Sequence, residues 1–146
     1  MRQNIDNKDI TKINLANNLH TQILGYKPNN NDKNYIIFTK NSDIMSVNFV
    51  DAKDPKYYNY QNNGAKVFMQ ILDFMDVNKD RKILVNCNQG QSRSPSLVLL
   101  YLAKRLMLIS HNSFEEAKKD FMQIYPNYLP ALGIQLFLTQ SWNYIL

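Results

Sequence analysis

The stretch from Lys82 to Tyr101, KILVNCNQGQSRSPSLVLLY, constrains the fold more than any other part of the chain. Ile83, Leu84 and Val85 make a short apolar run that reads as a buried strand. Cys87, the only cysteine, follows at once. Next comes a polar turn with one glycine, Asn88-Gln89-Gly90-Gln91-Ser92, and Arg93 stands six positions after Cys87. Ser94-Pro95 then opens a second apolar run, Leu97 to Leu102, that reads as a buried helix. Proline suits the first turn of a helix, where its missing N–H costs nothing. The order is therefore strand, tight loop, helix N-terminus.

That order has a chemical meaning. A loop closing onto a helix N-terminus turns several backbone N–H groups inward and adds the positive end of the helix dipole. Such a nest binds a dianion such as phosphate. The same field stabilises a thiolate, which makes Cys87 a candidate nucleophile at neutral pH. Arg93 offers a planar, two-pronged donor that matches two phosphate oxygens. Gly90 lets the backbone approach a ligand or take a positive φ. Ser94 can donate its hydroxyl to the sulfur. The alternative is a core cysteine beside a surface arginine, with no shared role.

Cys, five residues, Arg and then Ser resembles the signature loop of the cysteine-dependent protein phosphatases. NCNQGQSRSPSLVLLYLA is most similar to the dual-specificity branch, and the resemblance extends over roughly Val47 to Leu138. The bare Cys-to-Arg spacing recurs by chance; the strand before, the glycine inside, the Ser-Arg-Ser and the helix beyond make the likeness specific. The resemblance implies a phosphocysteine intermediate on Cys87. Arg93 and the loop Asn88, Gln89, Gly90, Gln91, Ser92 would hold the phosphate, with Ser94 beside the sulfur. It implies no metal and no cofactor. Asn86 departs from the pattern, because the family usually has His before the nucleophile. An asparagine still donates and accepts hydrogen bonds, so loop order is expected to survive, with a thiolate less favoured and a pH optimum moved upward.

A general acid is needed to protonate the leaving oxygen of a phosphate ester. In the resembling family an Asp sits on a loop after a strand, about thirty residues before the nucleophile. Ile44 to Val50 alternates apolar and polar residues and reads as such a strand. Asp51 lies at its end, 36 residues before Cys87; Asp54 lies 33 before and precedes Pro55. Strand-end position favours Asp51 as the acid, and sequence separation favours Asp54. Either could instead be a turn carboxylate or a helix cap. Tyr57, Tyr58 and Tyr60 follow, either as packing residues or as an aromatic wall at a pocket mouth.

At 146 residues a single domain is expected, with residues 1 to 33 weakly patterned. Hydrophobic content of 45% suits a packed core rather than a disordered chain. The net charge of +5 suits anionic partners. One cysteine excludes an internal disulfide and points to a reducing, cytoplasmic compartment. The N-terminus MRQNIDNKDI is not a signal peptide, and no apolar stretch is long enough to span a membrane. No metal-ligand spacing is present.

Ile10, Ile13, Asn14, Asn17 and Ile23 suggest a helix over Thr11 to Leu24, stopped by Gly25. His20 falls in it and reads as structural, as does His111 in a later turn; Lys12, Lys27 or His20 could still help receive a substrate. Asn34 to Lys40 reads as a strand. Val67, Phe68, Ile71, Leu72 and Met75 mark one face of a helix. The Arg93 helix is expected to run to about Met107. Ser113 with Glu116 makes a capping box that starts a helix from Phe114 to Tyr125. A final helix, Ala131 to Ile145, is expected to bury Leu132, Leu136 and Trp142.

These elements predict an α/β fold: a central sheet flanked by helices, with Cys87 at the C-terminal end of a middle strand. The expected function is hydrolysis of phosphomonoesters on phosphorylated proteins, at tyrosine, serine or threonine. Two other classes remain open. One is a phosphate-binding pseudophosphatase without turnover. The other is a phosphatase acting on RNA 5′-phosphates or phosphoinositides. A rhodanese-like sulfurtransferase also cradles an anion at Cys, but the SRSP continuation and the upstream Asp loop fit it less well.

Overall fold

Three strands run parallel and end together, and this places the site. The computed structural model describes residues 10–49 and 64–146. Strand β1 (Ile10–Asn14) pairs in parallel with β3 (Ile44–Val47) on one side and β4 (Lys82–Asn86) on the other. Strand β2 (Ile37–Lys40) joins antiparallel to β3, giving the order β2-β3-β1-β4. Asn41 and Ser42 both take positive φ between β2 and β3, as a tight hairpin turn with the native twist requires.

Five α-helices accompany the sheet among the described residues. They are α1 (Asn17–Leu24), α2 (Gly64–Val77), α3 (Arg93–Leu100), α4 (Phe114–Ile124) and α5 (Leu132–Ser141). No helix among the described residues is long and apolar enough to cross a membrane.

The expected helix over Thr11 to Leu24 begins as strand. Ile10-Thr11-Lys12-Ile13 is rich in β-branched residues, and both edges of β1 find partners, so pairing overrides the helical spacing. Only residues from Asn17 onward are helical, and Gly25 at φ 84 ends them as a left-handed cap. The strand expected from Asn34 starts at Ile37, because Asp32 holds the preceding chain in a turn: its carboxylate accepts from Asn34 N–H at 2.8 Å. Strand β3 stops at Val47, where Phe49 N–H folds back to the Val47 carbonyl at 2.9 Å.

Among the described residues, β4 is the last strand in the sheet order. Leu84 is accordingly 45% exposed, although it lies in the apolar run that reads as buried. The fold class is otherwise as expected: a sheet flanked by helices, with the loop between β4 and α3.

The core joins the sheet to α2, α3 and α5. Helix α2 buries Val67, Phe68, Ile71, Leu72 and Met75 along one stripe, as their spacing predicts. Phe68 stacks between Phe49, at 5.1 Å, and Phe137, at 5.7 Å. Helix α3 is shorter than expected: a π-turn, Tyr101–Arg105, follows Leu100, and Met107 at φ 52 ends it. Ser113 caps α4 through Glu116 N–H at 3.2 Å.

Helix α5 is rotated from its expected phase. Leu132 and Leu136 are exposed, whereas Ile134, Phe137 and Leu138 are buried, with Trp142 just beyond the helix. The start of α5 is pinned, since Ala131 N–H donates to Ser92 Oγ at 2.8 Å, and that anchor sets which face turns inward.

Candidate active site

Cys87 sits where β4 ends, and the chain then wraps around its sulfur. Gly90, at φ +66, turns its N–H back to Cys87 Sγ at 3.3 Å. Ser94 Oγ lies 3.2 Å from the same sulfur. The partial burial of Cys87 pushes the thiol pKa up. The Ser94 hydroxyl and the backbone N–H groups of Ser94, Gly90 and Gln89 outweigh that, so the net shift is downward. The positive end of α3 adds to the same effect. The Cys87 thiol pKa is thus lowered with Asn86, not His, before it.

Arg93 is 7% exposed and is held from behind. Its Nη1 donates to the Phe49 carbonyl at 2.8 Å, to the Leu15 carbonyl at 3.3 Å and to Asn17 Oδ1 at 3.3 Å. Among the described residues its buried Nε has no hydrogen-bond partner, and Arg93 makes no ion pair. A buried guanidinium with an unpartnered donor is costly unless an anion completes it. Arg93 and Cys87 line one cleft of about 440 Å³, together with Asn88, Gln89, Gln91 and Ser92. Leu129, Pro130 and Ala131 form the facing wall.

Three bonds fasten the loop to that wall. Leu129 N–H donates to the Gln91 carbonyl at 2.8 Å. Ala131 N–H donates to Ser92 Oγ, and Tyr125 Oη–H donates to the Gly90 carbonyl at 2.7 Å. On the other side, the β1–α1 junction grips both ends of the loop. Leu15 N–H donates to the Asn86 carbonyl at 2.8 Å, before the loop. The Leu15 carbonyl and Asn17 accept from Arg93, after it. Asn86 Nδ2 also donates to Asn14 Oδ1 at 2.8 Å.

The structure therefore brings Cys87, Arg93, Ser94 and the loop Asn88 to Ser92 to one place. Asp51 and Asp54 lie outside the described residues, as do Tyr57, Tyr58 and Tyr60. His20 does not line the cleft and is buried on Ser46 and Asn34. His111 is exposed and contributes its backbone carbonyl to Trp142 Nε1–H at 2.8 Å. Lys12 and Lys27 are exposed and do not line the cleft. Sequence reasoning missed Asn14, Leu15, Asn17 and the Phe49 carbonyl. Asn14 and Asn17 carried a signal, two amides bracketing a strand end, but a helical reading hides it. A backbone carbonyl carries none.

A model of the dual specificity phosphatase catalytic domain matches residues 2–132. The chain belongs to the dual specificity phosphatase family. A probable dual specificity protein phosphatase of Dictyostelium discoideum is 33% identical over 97 residues, covering 62% of this chain and 42% of that protein. The dual specificity protein phosphatase PHS1 of Arabidopsis thaliana is 31% identical over 88 residues, 53% of this chain and 10% of that protein. Human dual specificity protein phosphatase 5 is 32% identical over 63 residues, 42% of this chain and 16% of that protein. The chain thus spans less than half the length of these curated relatives. Asn86, the departure from the pattern noted before Cys87, donates to Asn14.

Proposed function

We propose that this phosphatase-family chain is a working hydrolase of phosphomonoesters on proteins. The observation that carries the reading is one cleft lined by both a sulfur with a lowered pKa and a buried arginine whose Nε has no partner among the described residues. The Cys87 thiolate attacks phosphorus. An S–P bond forms as the bond from phosphorus to the leaving oxygen breaks, and Asp51 gives that oxygen its proton. Arg93 and the loop N–H groups hold the non-bridging oxygens as charge redistributes. Water then attacks the phosphocysteine, its proton passing to the Asp51 carboxylate, with Gln91 positioning it. The S–P electron pair returns to sulfur, where the Ser94 hydroxyl stabilises the thiolate as it leaves. No metal takes part. Phosphotyrosine and phosphoserine or phosphothreonine are the proposed substrates. The reading includes a cytoplasmic, reducing location, which suits a lone catalytic thiol.

The test is hydrolysis of a small aryl phosphate from pH 5 to 8 with EDTA present. Wild type, Cys87→Ser, Asp51→Asn and Asp54→Asn are compared, the last two also on an alkyl phosphate with a poor leaving group. Turnover lost in Cys87→Ser and on the poor leaving group in Asp51→Asn supports the reading. A wild type that binds vanadate without turning over substrate would replace it with a phosphate-binding pseudophosphatase. Loss in Asp54→Asn alone would move the acid to Asp54.

A further inference from the structure

His20 and Ser46 stand apart from the cleft, and the chemistry above uses neither. Both are nevertheless fully inside the protein, 1% and 0% exposed. A row of polar side chains leads from them to the loop. Asn86, Asn14 and Ser46 occupy one register line across β4, β1 and β3.

The donor direction along this row is decided by its surroundings. Ala16 N–H donates to Asn14 Oδ1 at 3.1 Å, and Asn14 Nδ2 donates to the Ala16 carbonyl at 3.1 Å, which orients the Asn14 amide. Asn86 Nδ2 therefore donates to Asn14 Oδ1, and Asn14 Nδ2 to Ser46 Oγ at 3.0 Å. His20 Nε2 lies 2.8 Å from the Asn34 carbonyl, which only accepts, so Nε2 bears a hydrogen. In the neutral imidazole Nδ1 is then the acceptor, and the Ser46 hydroxyl, 2.7 Å away, donates to it. Each link runs the same way, from Asn86 through Asn14 and Ser46 to His20 and Asn34.

We propose that His20 is a positioning residue for Cys87. Through Ser46 and Asn14 it holds the side chain of Asn86, and with it the strand end that presents the sulfur to the loop N–H groups. The proposal rests on Cys87 being a thiolate nucleophile. Hydrogen bonds in a buried chain reinforce one another, and cutting one link leaves its neighbours unpaired. Removing the Ser46 hydroxyl strips His20 Nδ1 of its donor and Asn14 of an acceptor. The row then relaxes, and Cys87 shifts from the groups that favour its charge.

Because Cys87 is the only cysteine, its alkylation by iodoacetamide across pH 5 to 10 reads the thiolate directly. Ser46→Ala, His20→Leu, Asn86→Ala and the Ser46→Ala/Asn86→Ala double variant are compared with wild type, each with its melting temperature. The midpoint is expected to rise in every single variant, with alkylation near pH 6.5 roughly threefold slower. The double variant should go no further than Asn86→Ala, since both cut one chain. If His20→Leu folds too poorly to measure, Ser46→Ala, which deletes a single hydroxyl, carries the test. Lower melting temperatures with an unmoved midpoint would overturn the proposal, because that is all a merely structural role predicts. Fully additive shifts in the double variant would overturn it too. A wild-type midpoint no lower than that of free cysteine would instead remove the thiolate reading, and the proposal with it.

Discussion

The loop after Cys87 and the junction that grips it are built on opposite plans. Residues 87 to 93 carry sulfur, glycine, N–H nest and guanidinium in one contiguous run. The junction from Asn14 to Asn17 has no such motif, yet four of its bonds reach the loop's two ends across 71 to 78 positions. The loop supplies reactive groups; the junction supplies their geometry. Local chemistry can be read along a chain, whereas a scaffold is assembled by strand pairing.

The largest effects should fall on the loop. Arg93→Lys keeps the charge and loses the planar fork, so kcat/KM for an aryl phosphate should drop by about 10²-fold or more. A drop under tenfold would mean that the N–H groups alone hold the phosphate. The junction should show the reverse balance. Asn14→Leu leaves Asn86 Nδ2, Ser46 Oγ and Ala16 each short of a partner, and should cost about 2 kcal/mol of folding stability in urea titration. It should also slow turnover without touching substrate. Unchanged stability would show that water readily replaces that amide and that the contrast is overdrawn.

Tyr125→Phe sharpens the comparison from the wall side. It deletes one bond from a partly exposed ring to the Gly90 carbonyl, so a loss of roughly threefold in kcat/KM is expected, with little change in melting temperature. A larger loss would rank the wall with the junction as a scaffold.

The smallest effect is electrostatic. The pKa of Cys87 is lowered on folding, so between the folded and unfolded values the unfolded chain binds more protons. Stability from this group is present above the unfolded thiol pKa and is lost as pH falls through the folded one. The melting temperature of wild type relative to Cys87→Ser should therefore rise from pH 6 to 9. A flat difference would mean that burial cancels the hydrogen bonds.

Much of this protein could be read in advance because its signals are local. Strand, loop and helix around Cys87 follow from an apolar run, a turn and a proline within twenty residues. The α2 stripe and the Ser113 cap follow from helical spacing for the same reason. Only the tertiary structure turned Ile10 to Asn14 from helix to strand, because pairing on both edges is a contact with distant chain. It also rotated α5 about its anchor on Ser92 and put β4 at the end of the described sheet. The sequence by itself determined which atoms can react. Where those atoms are held was decided by residues such as Leu15, whose backbone N–H and carbonyl grip both ends of the loop. Every residue but proline has those two groups, and only the fold says where they point.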